Sequence, residues 1–251
     1  MFSDGDLLGL AGVYVYVAII VLMASKLKFI RNAKVHRKFV HIMVGNIVFI
    51  WWVFDSNYVM AFLAAAPFIP LLLLASPYSN ISKLKDSFLG RTSGESHDLG
   101  LVYYAISWTI LAFFLFDLRL IASIAIVSMA YGDGMGGLVG RKIGKKRLLG
   151  SKTIEGTTAV FIATLVSMLI VIYFYQFLND QGIFVSNVSN LNFEAALLSS
   201  ITVALFVSVV ELLTPGAIDN LVIPLGTSIL LFLIWEPYIT EGLILSFTIA
   251  V

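Results

Sequence analysis

Between Ala130 and Ala159 the sequence AYGDGMGGLVGRKIGKKRLLGSKTIEGTTA sets one aspartate among glycines, then a basic cluster, then a Gly-Ser-Lys-Thr-Ile-Glu-Gly element. Glycine backbone amides, lysine ammonium groups and neighbouring hydroxyls are the donors that cradle phosphate oxygens. Read as a helix, Asp133, Gly137, Gly140 and Gly144 fall at i, i+4, i+7 and i+11, on one face. A face without side chains admits a partner helix or a ligand to backbone distance. A carboxylate there, in an apolar stretch, is costly unless paired. Magnesium held between a carboxylate and substrate phosphates would pair it. Asp133 is therefore the first candidate for both catalysis and metal ligation. Gly132, Gly134, Gly137, Gly140, Arg141, Lys142, Lys145, Lys146, Lys152, Thr153 and Glu155 are candidates for holding the nucleotide.

A plainer reading makes the glycines a small-residue packing face and the basic run a topology anchor. It accounts for Gly136, Gly140 and Gly144. It leaves unexplained an aspartate inside the run and Ser-Lys-Thr-x-Glu just ahead of the next apolar stretch. Two look-alikes fall away. Gly132-Asp133-Gly134-Met135-Gly136-Gly137 fits G-x-G-x-x-G, but that fingerprint has meaning only between a strand and a helix. Gly150-Ser151-Lys152-Thr153 lacks the spaced upstream glycine of a P-loop.

Three further groups carry chemistry. Arg37, His41 and Gly45 recur every four residues and share a helix face, with Lys38 alongside. Arg37 and Lys38 suit phosphate binding, and His41 suits phosphate binding or proton transfer. Glu95 and Asp98 stand beside an apolar run and are candidates, with His41, for accepting a hydroxyl proton. Glu211 ends an apolar helix, Thr214-Pro215-Gly216 breaks it, and Asp219-Asn220 opens the next. Glu211 and Asp219 are candidate metal ligands with Asp133, and Asn220 a candidate nucleotide contact.

The elements that must position these residues are membrane spans. Of the 251 residues 59% are hydrophobic and only 12% charged, against roughly 45–50% and about 25% in soluble domains. Apolar runs near 7–25, 39–54, 57–75, 100–116, 118–138, 157–178, 194–213 and 221–235 have span-like length, with a last apolar piece at 237–251. The expectation is an all-α, polytopic bundle of seven to nine spans, one integral-membrane domain over 1–251. Asp4 and Asp6 precede the first run, which reads as a span rather than a leader.

Fifteen of the sixteen Lys and Arg residues fall in alternate loops, only Arg119 on the other side. The positive-inside rule puts those loops in the cytoplasm and the N-terminus outside. The site is then assembled from cytoplasmic loops 26–38, 76–99, 139–156 and 212–221, the last without Lys or Arg. Absence of cysteine excludes disulfides and thiolate metal sites. A net charge of +1 gives no field for nucleic acid. Nothing in the sequence bears on oligomeric state.

Arg37-Lys38-x-x-His41, Gly132-Asp133-Gly134 through Gly140-Arg141, Lys152-Thr153-Ile154-Glu155-Gly156 and Glu211 with Asp219-Asn220 together resemble a group of membrane lipid kinases. The group includes dolichol kinase, phytol kinase and the CTP-dependent diacylglycerol kinase, and is similar to phosphatidate cytidylyltransferases. The resemblance covers about residues 31–225 and is strongest in the glycine-lysine block. It implies a lipid hydroxyl as acceptor at the cytoplasmic face, a divalent metal, and CTP as donor with ATP open. The small size fits a prenol such as phytol, geranylgeraniol or dolichol; diacylglycerol stays open. The rivals are a cytidylyltransferase, attacking the α- rather than the γ-phosphate, and an ion-coupled transporter using Asp133 and Glu211. The cytoplasmic skew of the charges weighs against a carrier, whose site sits near the midplane.

Overall fold

A computed structural model describes residues 2–26, 33–76, 78, 80 and 99–240. The expected all-α class is observed. Helix α1 (Asp4–Lys26) starts with two aspartates and ends on a lysine, each sign matching the helix dipole at its end. Helix α2 (Ala33–Gly45) gives way to 3-10 turns at Asn46–Phe49 and Trp51–Val53, so the run expected at 39–54 is α-helical only in its first part. The third run opens with a π stretch, Val59–Ala65, and continues as α3 (Phe68–Ala75). Pro67 and Pro70 lack backbone N–H groups, and the Ala66 amide reaches back five residues to the Ala61 carbonyl, 2.8 Å.

Helix α4 (Gly100–Phe114) precedes a long helical segment, Phe116–Ile143. Inside that segment α5 (Arg119–Val127) passes through a π stretch, Ser128–Asp133, into α6 (Gly134–Ile143). The helix therefore outlasts the expected end at 138. A small hairpin follows, β1 (Arg147–Leu149) pairing antiparallel with β2 (Lys152–Thr153). The turn between them starts at Gly150, φ +55°, a left-handed conformation that suits glycine. Thr153 then caps α7 (Ile154–Asp180), its Oγ1 accepting from the Gly156 amide at 3.1 Å. Helices α8 (Phe193–Leu213) and α9 (Asp219–Ile234) are the last two among the described residues.

The long segment is the axis of the fold. Its residues from Leu120 to Ala130 are all buried, and α7, α8 and α9 pack around it. Outward faces are apolar instead of polar: Leu8, Ile162, Leu198, Leu205, Ile229 and Leu233 are all exposed. Among the described residues four helices, Asp4–Lys26, Phe116–Ile143, Ile154–Asp180 and Phe193–Leu213, are long and apolar enough to cross a membrane, and Val59–Ala75, Gly100–Phe114 and Asp219–Ile234 are shorter apolar helices. An apolar exterior of this extent marks a membrane protein.

One end of the bundle is closed by charge-to-backbone contacts. Arg119 donates to the Phe54 carbonyl at 2.6 Å and lies over the Phe116 and Phe184 rings, 4.2 and 4.7 Å from their centroids. Asp6 Oδ1 accepts from the Asp55 and Ser56 amides, both at 3.1 Å. The other end carries the site.

Candidate functional site

The π stretch ends at Asp133, so the residues after it follow ordinary helical spacing and Asp133, Gly137, Gly140 and Arg141 border one space. That space is a cavity of about 680 Å³, within the size range of small-molecule sites. Its walls come from four places. Helix α2 supplies Arg37 and Lys38, and α6 the Asp133 face. The hairpin and its junction with α7 supply Gly150, Ser151, Lys152 and Thr153. The α8–α9 connection supplies Glu211, Thr214, Pro215, Gly216 and Asp219.

Two ion pairs organise the charge. Lys38 Nζ donates to Asp133 Oδ2, with both residues buried. Lys152 Nζ donates to Glu211 Oε1 and to the Glu211 carbonyl, the latter at 3.0 Å, which ties the hairpin to the end of α8. Four basic side chains, Arg37, Lys38, Arg141 and Lys152, thus face three carboxylates across an open volume. Buried carboxylates and ammonium groups are kept when paired, and here the pairs edge a cavity large enough for a ligand.

A smaller polar cavity adjoins the first and shares Arg37, Lys38, Asp133 and Asp219 with it. His41 and Asn220 are on its wall. His41 is buried, its Nε2 3.6 Å from Asp133 Oδ2 and without a hydrogen bond. Asn220 is held by its amide to Asp219 Oδ1 at 2.8 Å, by Nδ2 to the Ala217 carbonyl at 3.2 Å, and by Ser107 donating to its carbonyl at 2.7 Å. Its Oδ1 is buried with no hydrogen bond.

Among the described residues no three His, Asp or Glu side chains converge as a ready-made metal cage. Asp133 and Asp219 nevertheless border the same space, with the Asn220 Oδ1 acceptor beside them. Magnesium is commonly held by one or two carboxylates together with substrate phosphates and water, and the oxygen donors present fit that mode.

Several expected site residues stand elsewhere. Gly132 packs on α7, where a Cβ would lie 2.7 Å from Thr164 Oγ1, and Gly134 packs on Ile42. Gly136, Gly140 and Gly156 form the close crossing of α6 and α7, so Gly140 serves both packing and cavity. Lys142, Lys145 and Lys146 are exposed and off the cavity wall. Glu155 is also off it, Oε2 accepting from the Lys145 and Lys146 amides at 3.1 and 3.4 Å, which folds the approach to the hairpin against α7. Glu95 and Asp98 lie outside the described residues, as does most of loop 76–99.

Gly150, Ser151 and Thr214–Gly216, all on the cavity wall, fall inside the expected site loops 139–156 and 212–221 without being singled out there as individual contacts. The signal was present in part. A Pro-Gly break flanked by Glu211 and Asp219 marks a turn that must bring two carboxylates together.

No protein-family model and no solved structure matches the chain. Its sequence is 30% identical to phytol kinase of Synechocystis sp. over 228 residues, 88% of each chain. It is 27% identical to phytol kinase 1, chloroplastic, of Arabidopsis thaliana over 208 residues, covering 78% of this chain and 65% of that one. It is 26% identical to farnesol kinase, chloroplastic, of the same plant over 218 residues, covering 81% and 66%. The first alignment runs through every element that borders the cavity, at an identity and coverage that establish common descent, and the chain belongs to the phytol kinase family.

Proposed function

We propose that the protein is a prenol kinase, transferring the γ-phosphate of a nucleoside triphosphate to the hydroxyl of a membrane-dissolved isoprenoid alcohol. The cavity in which Lys38, Asp133, Lys152, Glu211 and Asp219 converge is the observation that carries this reading. Phosphoryl transfer asks a protein for positioning and charge stabilisation rather than covalent participation, and this set of residues offers both. Magnesium, held by Asp133 and Asp219 with Asn220 nearby, would neutralise charge on the phosphates.

Lys152 and Arg141 face the phosphates from the hairpin side, and Arg37 and Lys38 from α2. The prenol oxygen attacks the γ-phosphorus, the bond to the β-phosphate oxygen breaks, and the nucleoside diphosphate leaves. The hydroxyl proton passes to His41 Nε2, which is buried beside Asp133 and has no competing hydrogen bond. CTP is the donor expected from the resemblance, with ATP as the comparison. The topology we infer is multi-pass, seven to nine spans with the N-terminus outside, so that the cavity opens to the cytoplasm where the nucleotide is.

The test uses the protein in vesicles with phytol, geranylgeraniol, farnesol or diacylglycerol, and CTP or ATP labelled at the α or γ phosphate. The γ label is expected in prenyl phosphate. The α label in the lipid would replace the kinase by a cytidylyltransferase, and phosphorylation of diacylglycerol alone would move the substrate class.

A further inference from the structure

An apolar cleft of about 110 Å³ opens beside the polar site, between α1, α2, α3 and α4. Val17, Val40, Leu72, Leu101 and Trp108 form its walls. It touches the polar site at defined points: His41 and Leu101 are on the wall of the cleft and also on the wall of the small cavity that holds Asp133 and Asp219. Tyr104 and Trp108 line the cleft with carbon only, and the Tyr104 hydroxyl lies toward Gly45 instead, 3.5 Å from where a Cβ there would stand. The Tyr104 ring meets His41 edge-on, 4.8 Å between centroids. The junction with the phosphate site is thus made by His41 and Leu101, where an apolar group bearing a hydroxyl would meet it.

A larger apolar groove of about 470 Å³ runs between Phe49, Tyr131 and Met135 on one side and Ile162, Val166 and Ile170 on the other. Volume alone would favour it. It shares no residue with either polar cavity, so an alcohol lying in it has no path along its wall to Asp133. Continuity with the polar site decides for the smaller cleft.

Resting on the prenol kinase reading, we propose that this cleft seats the hydroxyl-bearing first isoprene unit of the substrate, with His41 at the junction, and that the remaining chain leaves past Leu71 into the surrounding lipid. An apolar cavity of about 150 Å³ takes a benzene-sized group, so the cleft matches one branched five-carbon unit and no more. Leu71, on its wall, is an exposed leucine and marks the open side. Lipid tails are as apolar as leucine, so a tail moving from bilayer to protein gains little from burial. Discrimination then comes from shape, and only where the protein encloses the chain. Farnesol, geranylgeraniol and phytol are expected to be used with similar kcat/KM at equal surface concentration. A pocket that enclosed the whole chain would separate them by about tenfold or more.

The direct test is photo-crosslinking of the unaltered protein in vesicles, using prenol analogues that carry a diazirine in the first or in the last isoprene unit. The first-unit probe is expected on peptides containing Val40, Leu72 or Leu101, and the last-unit probe on lipid. Labelling at Met135 or Ile162 instead, while the protein still transfers γ-phosphate to prenols, would overturn the cleft and leave the kinase reading standing. Absence of transfer to any prenol would remove both. Leu72→Trp and Val17→Trp fill the cleft from residues that border neither polar cavity, and each should raise the prenol KM by about tenfold or more with the nucleotide KM unchanged; the same bulk at Ile162→Trp should change neither. Unaltered prenol KM in both cleft variants would contradict the proposal.

Discussion

Arg119 and Asp133 lie on the same long helix, fourteen residues apart, or about 21 Å along its axis. Arg119 is spent mainly on its surroundings: it donates from Nη1 to the Phe54 carbonyl and its plane rests on two phenyl rings, with Nε left without a hydrogen bond. Asp6 at that end is likewise used up on the Asp55 and Ser56 amides. At the other end Lys38 meets Asp133 and Lys152 meets Glu211, side chain to side chain, around an open cavity. A charge that satisfies main-chain groups replaces a missing cap and holds a connection in place. Charges that pair with each other at the edge of a void keep their remaining valences for something that enters it. The first arrangement is expected to govern stability and the second turnover.

Substitutions can separate the two. Asp133→Asn is isosteric and should lower phosphorylation about 10³-fold, the scale on which one preorganised charge acts in transfer chemistry, with the protein still folded by its melting curve. Next in size, Arg119→Met should lose about 2 kcal/mol from the charged hydrogen bond and the stranded carbonyl, lowering the apparent Tm by roughly 4–8 °C. Its kcat per folded molecule should be unchanged; a large drop in kcat at unaltered Tm would break the contrast. Lys152→Met removes one phosphate-facing cation and should raise the nucleotide KM about tenfold. The double change Lys145→Gln with Lys146→Gln should alter KM and Tm least, by under about 0.5 kcal/mol, as expected of exposed positions away from special features. A tenfold effect there would move the phosphate site off the hairpin's inner face and onto its outer one.

Much of this contrast can be read without a structure. Lysine and arginine are costly in an apolar bundle, so their alternation groups the loops, and Arg37, Lys38, Arg141 and Lys152 border the one cavity with Asp133. The helical face from Asp133 to Gly140 is legible because the π stretch stops at Asp133. The π stretch itself is not, since Ser128–Asp133 carries no proline to mark it and its one charge, Asp133, reads as a site residue. Nor can spacing sort the lysines. Lys145, Lys146 and Lys152 form one cluster in sequence, but the chain reverses at Gly150 and only Lys152 is carried to Glu211. Glycines divide in a similar way, Gly137 to the cavity and Gly134 to Ile42, because what lies opposite each belongs to other helices. The apolar cleft leaves no trace at all in the sequence: Val40, Leu72 and Leu101 look like any residues of a span.

A nucleotide received at the Asp133 end should be open to photoaffinity labelling with an azido-substituted CTP in the presence of magnesium. Label is expected on peptides from Gly136–Gly156 and Glu211–Asp219, reduced by excess CTP and by Asp133→Asn. Competed label confined to the Arg119 end, on residues 46–58 or 182–192, would contradict it.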